Sequence, residues 1–411
     1  MSPLPTSPAA RTAASAGPLA GVRIVDLSGV FSGPMATALL CDQGAEVIKV
    51  EPLEGDTSRK VGPAKGDLSA PFITVNRGKR SIALDLKRPE ATEILAALVR
   101  SADVLVNNFR PGVMQRLGLD SARLQALNPR LVRLSITGFG PDGPRAEDRA
   151  YDAVIQAVAG VSASHPDKHT GHPALIATTL CDKLTALTAA QAVTAALFGR
   201  ERDGQGRHVE VSMLDATLAF QWIDAMYNHV FMDDAPQGFP EMGMTLKPYA
   251  TLDGFVATMS PQQSEFLGLC RALGRPDIAQ DPRFATLQSR SRHPRELRAL
   301  IEPLMAAQST DAIEAAGRHE GAPLGRINSR SEVLTDPQVL HNAALVELDH
   351  GTVGRVRLAR AAALVDGQAL GPHRPAPHLG EHGLSVLQEL GFDATQIEQW
   401  QASGVLRVSQ A

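Results

Sequence analysis

Asp182 heads the longest helix-periodic stretch of the chain, residues 180–198, and follows Thr178-Thr179-Leu180-Cys181. A carboxylate in a first helical turn is stabilised by the amide dipoles by about 0.3–1 kcal/mol, which keeps it ionised and able to act as a nucleophile. The same position suits a helix cap, and spacing alone leaves both readings open. A second constellation is basic and aromatic. Asn76-Arg77-Gly78-Lys79-Arg80 precedes a strand pattern and Lys87-Arg88 follows it, while Asn108-Phe109-Arg110-Pro111-Gly112 follows the next strand, with Arg116 beyond. Ligands of open parallel sheets bind at the carboxyl ends of strands. Lys87, Arg110 and Arg116 would there suit phosphates and Phe109 a purine, or all four could be ordinary surface residues.

Other chemistries find less support. The turn Ser28-Gly29-Val30-Phe31-Ser32-Gly33-Pro34 has the pattern G-x-x-x-G. It lacks the second glycine that admits a dinucleotide pyrophosphate, and Phe31 would fill that space, which argues against a nicotinamide-dependent oxidoreductase. His165, His169 and His172 have ligand-like spacing, but Pro166, Gly171 and Pro173 interrupt it, so they read as loop residues, as do His373, His378 and His382. Cys41, Cys181 and Cys270 are scattered and form no CxxC pair. Neither a disulfide framework nor a cysteine zinc site is expected, and a reducing, cytoplasmic setting follows. G-x-S-x-G, Walker and H-E-x-x-H motifs are absent.

The elements that must position these residues alternate strand and helix. Strand patterns cover residues 22–27, 47–50, 81–86, 103–106 and 131–136. A helix with Pro34 at its first position runs to Asp42 and stops at Gly44, and another opens at Pro89. This alternation predicts a parallel, doubly wound sheet. The helix from residue 180 is expected to close at Gly199, followed by the turn Asp203-Gly204-Gln205-Gly206, a strand holding Val209 and Val211, and a helix over 214–230. Residues 254–325 show short helices (263–273, 295–306, 311–316) and no long strand series. Strand-like pieces reappear at 353–358 and 361–365, then helices at 384–390 and 394–402.

With 411 residues the chain exceeds one ordinary core, so two domains are expected. Hydrophobic residues make up 44% and charged residues 20%, the balance of a soluble globular protein. A net charge of −4 with intermixed signs exerts no long-range pull on nucleic acid or anionic membrane, so any anionic ligand needs a local basic pocket. Residues 1–17 are rich in Ser, Ala and Pro and read as a disordered tail. No apolar run approaches the roughly 18 residues that a membrane span needs.

From residue 19 to 405 the chain resembles the type III CoA-transferases, typified by formyl-CoA and carnitine CoA-transferases. The blocks LAGVRIVDLSGVFSGP, GAEVIKVEP, NRGKRSIALDLK, ADVLVNNFRPGVMQRLGL, LNPRLVRLSITGFGPDGP, AYDAVIQAVAG, GQGRHVEVSMLDA, INSRSEVLTDPQV and HLGEHGLSVLQELGF carry the resemblance, in that order. It implies that Asp182 is the catalytic aspartate, which passes through a mixed anhydride and an aspartyl-CoA thioester. CoA moves from an acyl-CoA, commonly succinyl-CoA, to a carboxylic acid. CoA is a substrate here, and no permanent cofactor or metal is implied. The resemblance places CoA contacts at Val30, Phe31, Leu84, Lys87, Asn108, Phe109, Arg116 and Arg149, with Tyr151 and Asp152 lining the pocket beside the nucleophile.

It also implies an interlocked-ring homodimer. Each chain would have a discontinuous Rossmann-like large domain, residues 18–225 with 336–411, and a smaller α+β domain over 232–325. Residues 226–231 and 326–335 would be the linkers. Formyl-CoA transferases carry Gln where this chain has Phe31 and Arg where it has Pro52, and their Gly-rich lid is replaced by Met242-Gly243-Met244-Thr245. A larger or less polar acid than oxalate or formate is therefore expected.

The alternative on the same fold is a 2-methylacyl-CoA racemase. Its His position is taken by Tyr151 in Arg149-Ala150-Tyr151-Asp152-Ala153, and a phenol of ordinary pKa about 10 is a poor base near neutrality. A non-catalytic CoA-binding protein is the remaining alternative.

Overall fold

The computed structural model describes residues 17–164, 166–167, 170–234, 247–371 and 374–409. His165, His169, His373, the segment 242–245 and residues 1–16 of the N-terminal tail lie outside the described residues. The chain divides into two compact units. One holds the described residues up to Ala159, with Thr178–Leu218 and those from Ala343 onward; the other holds those of Gly160–Ala177 and Ala219–Asn342.

The first unit is built on a seven-stranded sheet. Its strands are β1 (Arg23–Asp26), β2 (Glu46–Glu51), β3 (Arg80–Leu84), β4 (Val104–Asn107), β5 (Val132–Thr137), β6 (His208–Ser212) and β7 (Leu406–Arg407). The spatial order is β7-β3-β2-β1-β4-β5-β6, with β1 to β6 parallel and β7 antiparallel beside β3. Helices α1 (Ser32–Asp42) and α2 (Pro89–Ser101) return the chain between parallel strands. Neighbouring strand residues point to opposite faces. Ile24, Val104 and Val106 pack with Leu40 and Ala186 in one core cluster; Val25 and Leu105 pack with Ile94, Leu98 and Trp400 in the other. Burial on both faces explains why the strands read as apolar runs. Chain direction across the sheet reverses between β1 and β4. The crevice outside their carboxyl ends is where such sheets hold ligands.

Three helix boundaries differ from expectation. Helix α1 begins at Ser32, so Pro34 is its third residue; the missing proline N–H falls among first-turn groups that lack helical partners anyway. The long helix, here α4 (Leu180–Asp203), runs through Gly199 and ends at Gly204, whose φ of 75° forms the left-handed cap. Its extra turn is anchored by buried Arg200, which pairs with Asp103 at 2.9 Å. Helix α3 (Asp152–Val158) precedes α4 in the chain, and α5 (Met213–Gln221) follows β6. The last is shorter than the expected 214–230, because Trp222 and Ile223 are exposed and no buried stripe sustains it.

The second unit contains the short helices expected there, Gln263–Ala272, Pro294–Ala306 and Thr310–Glu320. A three-stranded antiparallel sheet, in the order Leu324–Arg326, Phe255–Thr258, Tyr249–Ala250, joins them around Val256, Leu269, Ile301, Met305 and Ile313.

Beneath the turn after β1 lies a buried ionic network. Asp26, wholly buried, accepts from Lys79 Nζ at 2.9 Å, Thr37 Oγ1 at 2.7 Å and the Ser28 N–H at 2.9 Å. Lys49 of β2 donates to the Ser28 carbonyl and pairs with Asp56, each at 2.8 Å. Asp56 in turn accepts the Val30 N–H at 3.1 Å. Val30 has φ 66°, a left-handed conformation that costs a β-branched residue on the order of 1–3 kcal/mol and persists only where surroundings enforce it. Gly33 is required at the same turn, since a Cβ there would lie 2.3 Å from Ser28. Burial by itself would raise the Asp26 carboxyl, but Lys79, Lys49 and the Ser28 and Thr37 hydroxyls outweigh it and hold it well below the usual carboxylate range.

Removing one member of a buried pair leaves a charge without compensation. Lys79→Met is therefore expected to lower the unfolding free energy by about 3–5 kcal/mol in urea titrations. A loss within experimental error would show that the network does not hold the turn.

Candidate active site

Helix α4 opens with Leu180, Cys181 and Asp182, and its N-cap residue Thr179 makes no side-chain cap. The N–H of Asp182 is one of the first-turn donors without a helical partner. It donates to Asp152 Oδ2 at 3.0 Å, while Asp152 Oδ1 accepts from Gln156 Nε2 at 2.6 Å. Asp152 on α3 thus caps α4, which leaves the Asp182 carboxylate for other partners. Ser32, the first residue of α1, lines the same cleft as Asp182 and lowers its carboxyl partly through its polar groups. The starts of α1 and α4 therefore meet at one carboxylate, which is only 8% exposed.

Burial raises the Asp182 carboxyl and the neighbouring Asp152 charge adds to that, while Ser32 and Lys183 pull it partly back; the outcome is a pKa near 6 rather than 3.8. Half of the groups are ionised at pH 6 and nearly all at pH 7.5. Such a carboxylate is weakly solvated and more basic than an ordinary aspartate, which suits nucleophilic work. Cys181 next to it is fully buried, and burial pushes its thiol up to about 11, so it is no competing nucleophile.

Asp182 and Ser32 line a cleft of about 220 Å³ at the switch point of the sheet. Val30, Asn108, Phe109, Arg149 and Tyr151 share its wall. Phe31 is the N-cap residue of α1, adjacent to the cleft but outside its lining. Asp152, which holds the Asp182 N–H, is buried. The Leu84 side chain is fully buried in the core, and Lys87 and Arg116 are exposed outside the cleft. The Asn108 amide is occupied by the main chain of Gly29, accepting its N–H at 2.9 Å and donating to its carbonyl at 2.8 Å. Gly138 lets the Arg149–Tyr151 segment lie against the end of β5, since a Cβ there would sit 2.2 Å from that of Ala150.

Spacing gives no indication of Ser32, or of Asn108 as the clamp of the turn. The sole trace of Ser32 in the sequence is a hydroxyl at a helix start after a Gly-containing turn. Among the described residues no group of three or more His, Cys, Asp or Glu could hold a metal ion, and no helix is long and apolar enough to cross a membrane.

Residues 19–383 match the model of CoA-transferase family III. The chain belongs to that family. It is 36% identical to succinate–glutarate CoA-transferase of Agrobacterium fabrum, over 91% of this chain and 96% of the relative. It is likewise 36% identical to acetyl-CoA:oxalate CoA-transferase of Acetobacter aceti, over 91% and 96%. The crystal structure of Rv3272 from M. tuberculosis superposes with a TM-score of 0.80 at 31% identity, covering 90% of this chain and 99% of that one. The protein is therefore an enzyme, a family III CoA-transferase, with the mixed α/β fold and parallel central sheet of its relatives. The racemase alternative is not favoured by these matches.

The raised carboxyl has a consequence for stability. Folding favours protonated Asp182, so its cost is absent below about pH 4, grows as pH rises and is complete above about pH 6. Asp182→Asn removes that cost, on the order of 1–3 kcal/mol at 1.36 kcal/mol per pKa unit. The variant should melt above the parent at pH 8 and together with it at pH 4; equal melting at both would contradict the buried charge.

Proposed function

We propose that this enzyme moves CoA from succinyl-CoA to a dicarboxylic acid of similar size through acyl intermediates on Asp182. The carrying observation is the Asp182 carboxylate itself, buried at a cleft and released from capping its own helix by Asp152. In this reading an oxygen of Asp182 attacks the thioester carbonyl, the C–S bond breaks, and CoA thiolate leaves a mixed anhydride. The thiolate then attacks the Asp182 carbonyl carbon and expels the donor acid, forming an aspartyl-CoA thioester. An acceptor carboxylate repeats both steps in reverse order of roles. No proton is gained or lost overall, and each difficult displacement is split into easier ones.

Substrate placement follows the cleft. At about 220 Å³ it admits an acyl thioester end but falls short of the 300–1,000 Å³ that larger ligands occupy, so the nucleotide of CoA would extend outside it. Lys87 and Arg116, exposed beyond the cleft, would then meet phosphates, and Phe109 the base. Val30, Leu84 and Asn108 would contribute main-chain surface, Phe31 its side chain, and Arg149 and Tyr151 the acyl end beside Asp152. The dicarboxylate assignment draws on the name of the Agrobacterium relative. A homodimer of interlocked rings, with a discontinuous large domain in each chain, completes the reading. Exposed Leu187 and Phe198 on α4 favour a partner surface. Three free, buried thiols fit a reducing cytoplasm.

Incubation with succinyl-CoA alone should give the Asp182 peptide a mass increase equal to CoA less water, discharged on adding glutarate. Asp182→Asn should abolish the adduct and reduce transfer by more than roughly 10³-fold, as loss of a covalent nucleophile does. Transfer at parental rate in that variant would refute the reading. The acid limb of kcat/KM should fall near pH 6, where Asp182 loses its charge.

A further inference from the structure

Arg290 belongs to the short helix Leu287–Arg292 of the second unit, which Thr286 opens by accepting the Ser289 N–H at 3.1 Å. The residue is 5% exposed, and its guanidinium lies over the Phe266 ring, 4.2 Å from the centroid. Every hydrogen-bond acceptor it meets is uncharged. Nη1 donates to Gln263 Oε1 at 2.6 Å and to the Phe284 carbonyl at 3.1 Å. Nη2 has only the Ser260 and Pro261 carbonyls, at 3.4 and 3.5 Å. No carboxylate among the described residues pairs with it. Buried arginines are ordinarily paired, because neutral dipoles return only part of what the ion loses on leaving water. Arg290 lines a cavity of about 530 Å³, within the roughly 300–1,000 Å³ of small-molecule sites, and every lining residue belongs to the second unit. Met259, Leu269, Leu297 and Ile301 are among its apolar walls, and no Asp or Glu lines it. Its other arginine, Arg298, already pairs with Glu302 at 2.6 Å. The Ser260 hydroxyl at the same cavity is buried and has no hydrogen-bond partner among the described residues. A buried hydroxyl in that state carries a desolvation cost that an acceptor would offset.

We propose that this cavity binds a carboxylic acid with an apolar body, of the medium-chain fatty acid class, its carboxylate held by Arg290 and the Ser260 hydroxyl. The carboxylate supplies the counter-charge that Arg290 lacks and accepts the unused hydroxyl proton. Charge-assisted hydrogen bonds of this kind are the strong ones, more so out of water. The rest of the ligand lies against the apolar walls. Because the two polar groups adjoin, with the Ser260 carbonyl 3.4 Å from Nη2, they serve one head group. A second carboxylate on the ligand would be driven into apolar surroundings without a partner, which is costly. Short dicarboxylates such as those proposed to exchange at Asp182 are therefore poor ligands here. The residues of the Asp182 cleft all belong to the first unit, so the two sites share no side chain.

The test is calorimetric titration of the full-length protein with octanoate, and with octanamide, which has the same chain and no charge. Octanoate should bind at one site per chain, and octanamide at least roughly tenfold more weakly, as expected when hydrogen bonds to a charged group are lost. Ser260→Ala should weaken octanoate by roughly tenfold and Arg290→Met by roughly 10²-fold or more. Ser260→Asp offers the guanidinium a carboxylate from the chain itself. It should abolish octanoate binding and raise the melting temperature, a result that stands even if Arg290→Met folds poorly. Saturating glutarate should leave the octanoate titration unchanged. No binding of octanoate to the parent, or equal binding to the parent and Ser260→Asp, would overturn the proposal. Displacement by glutarate, with binding kept in Ser260→Asp, would assign the acid to the Asp182 cleft and overturn it equally.

Discussion

A carboxylate kept out of water, at the meeting point of two helix starts, is the constraint to which the rest of the site answers. An aspartate in a first helical turn ordinarily satisfies its own helix. Here Asp152 does so instead, accepting the Asp182 N–H, and the Asp182 carboxylate lines the cleft beside Ser32. The second carboxylate has two effects at once. It fixes the backbone of Asp182, and its charge helps burial to raise the Asp182 pKa to about 6. A group so tuned is ionised near neutrality yet more basic than a solvated aspartate.

Holding that geometry requires the ionic layer below it. Ser28, Gly29 and Val30 bond to Lys49, Asn108 and Asp56; Lys49 lies on β2, Asp56 in the loop after it, and Asn108 just after β4. Left-handed Val30 and buried Asp182 are both unfavourable for folding, and both adjoin the cleft. Local destabilisation at a working site, offset by a rigid surround, is a common division between activity and stability. The parallel sheet supplies the surround, because its switch point brings the ends of β1 and β4 together whatever loops they carry.

Much of this is legible in the sequence because it depends on local periodicity. The strands, α1, α2 and the start of α4 follow from apolar spacing, and Asp182 is conspicuous at a helix head. What is not legible depends on partners distant in the chain. Gly199 looks like a cap until Arg200 finds Asp103, and residues 222–230 look helical although Trp222 and Ile223 are exposed. Asn108 offers the amide of a ligand contact, yet Gly29 holds it. Spacing leaves cap and nucleophile both open for Asp182, because the hydrogen bond that frees it from capping runs to a residue thirty positions earlier. Ser32 escapes notice for the same reason, since only the folded cleft places it beside Asp182.

The route of one oxygen atom tests the acyl-carrier role of Asp182 most directly. With succinyl-CoA and glutarate carrying 18O in its carboxylates, cleavage of the acceptor's mixed anhydride leaves one labelled oxygen on the aspartate. After a single turnover, the Asp182 peptide should therefore hold one 18O. Label that passes straight into the released succinate, with none on Asp182, would mean that the two acids react with each other directly and that the buried carboxylate carries nothing.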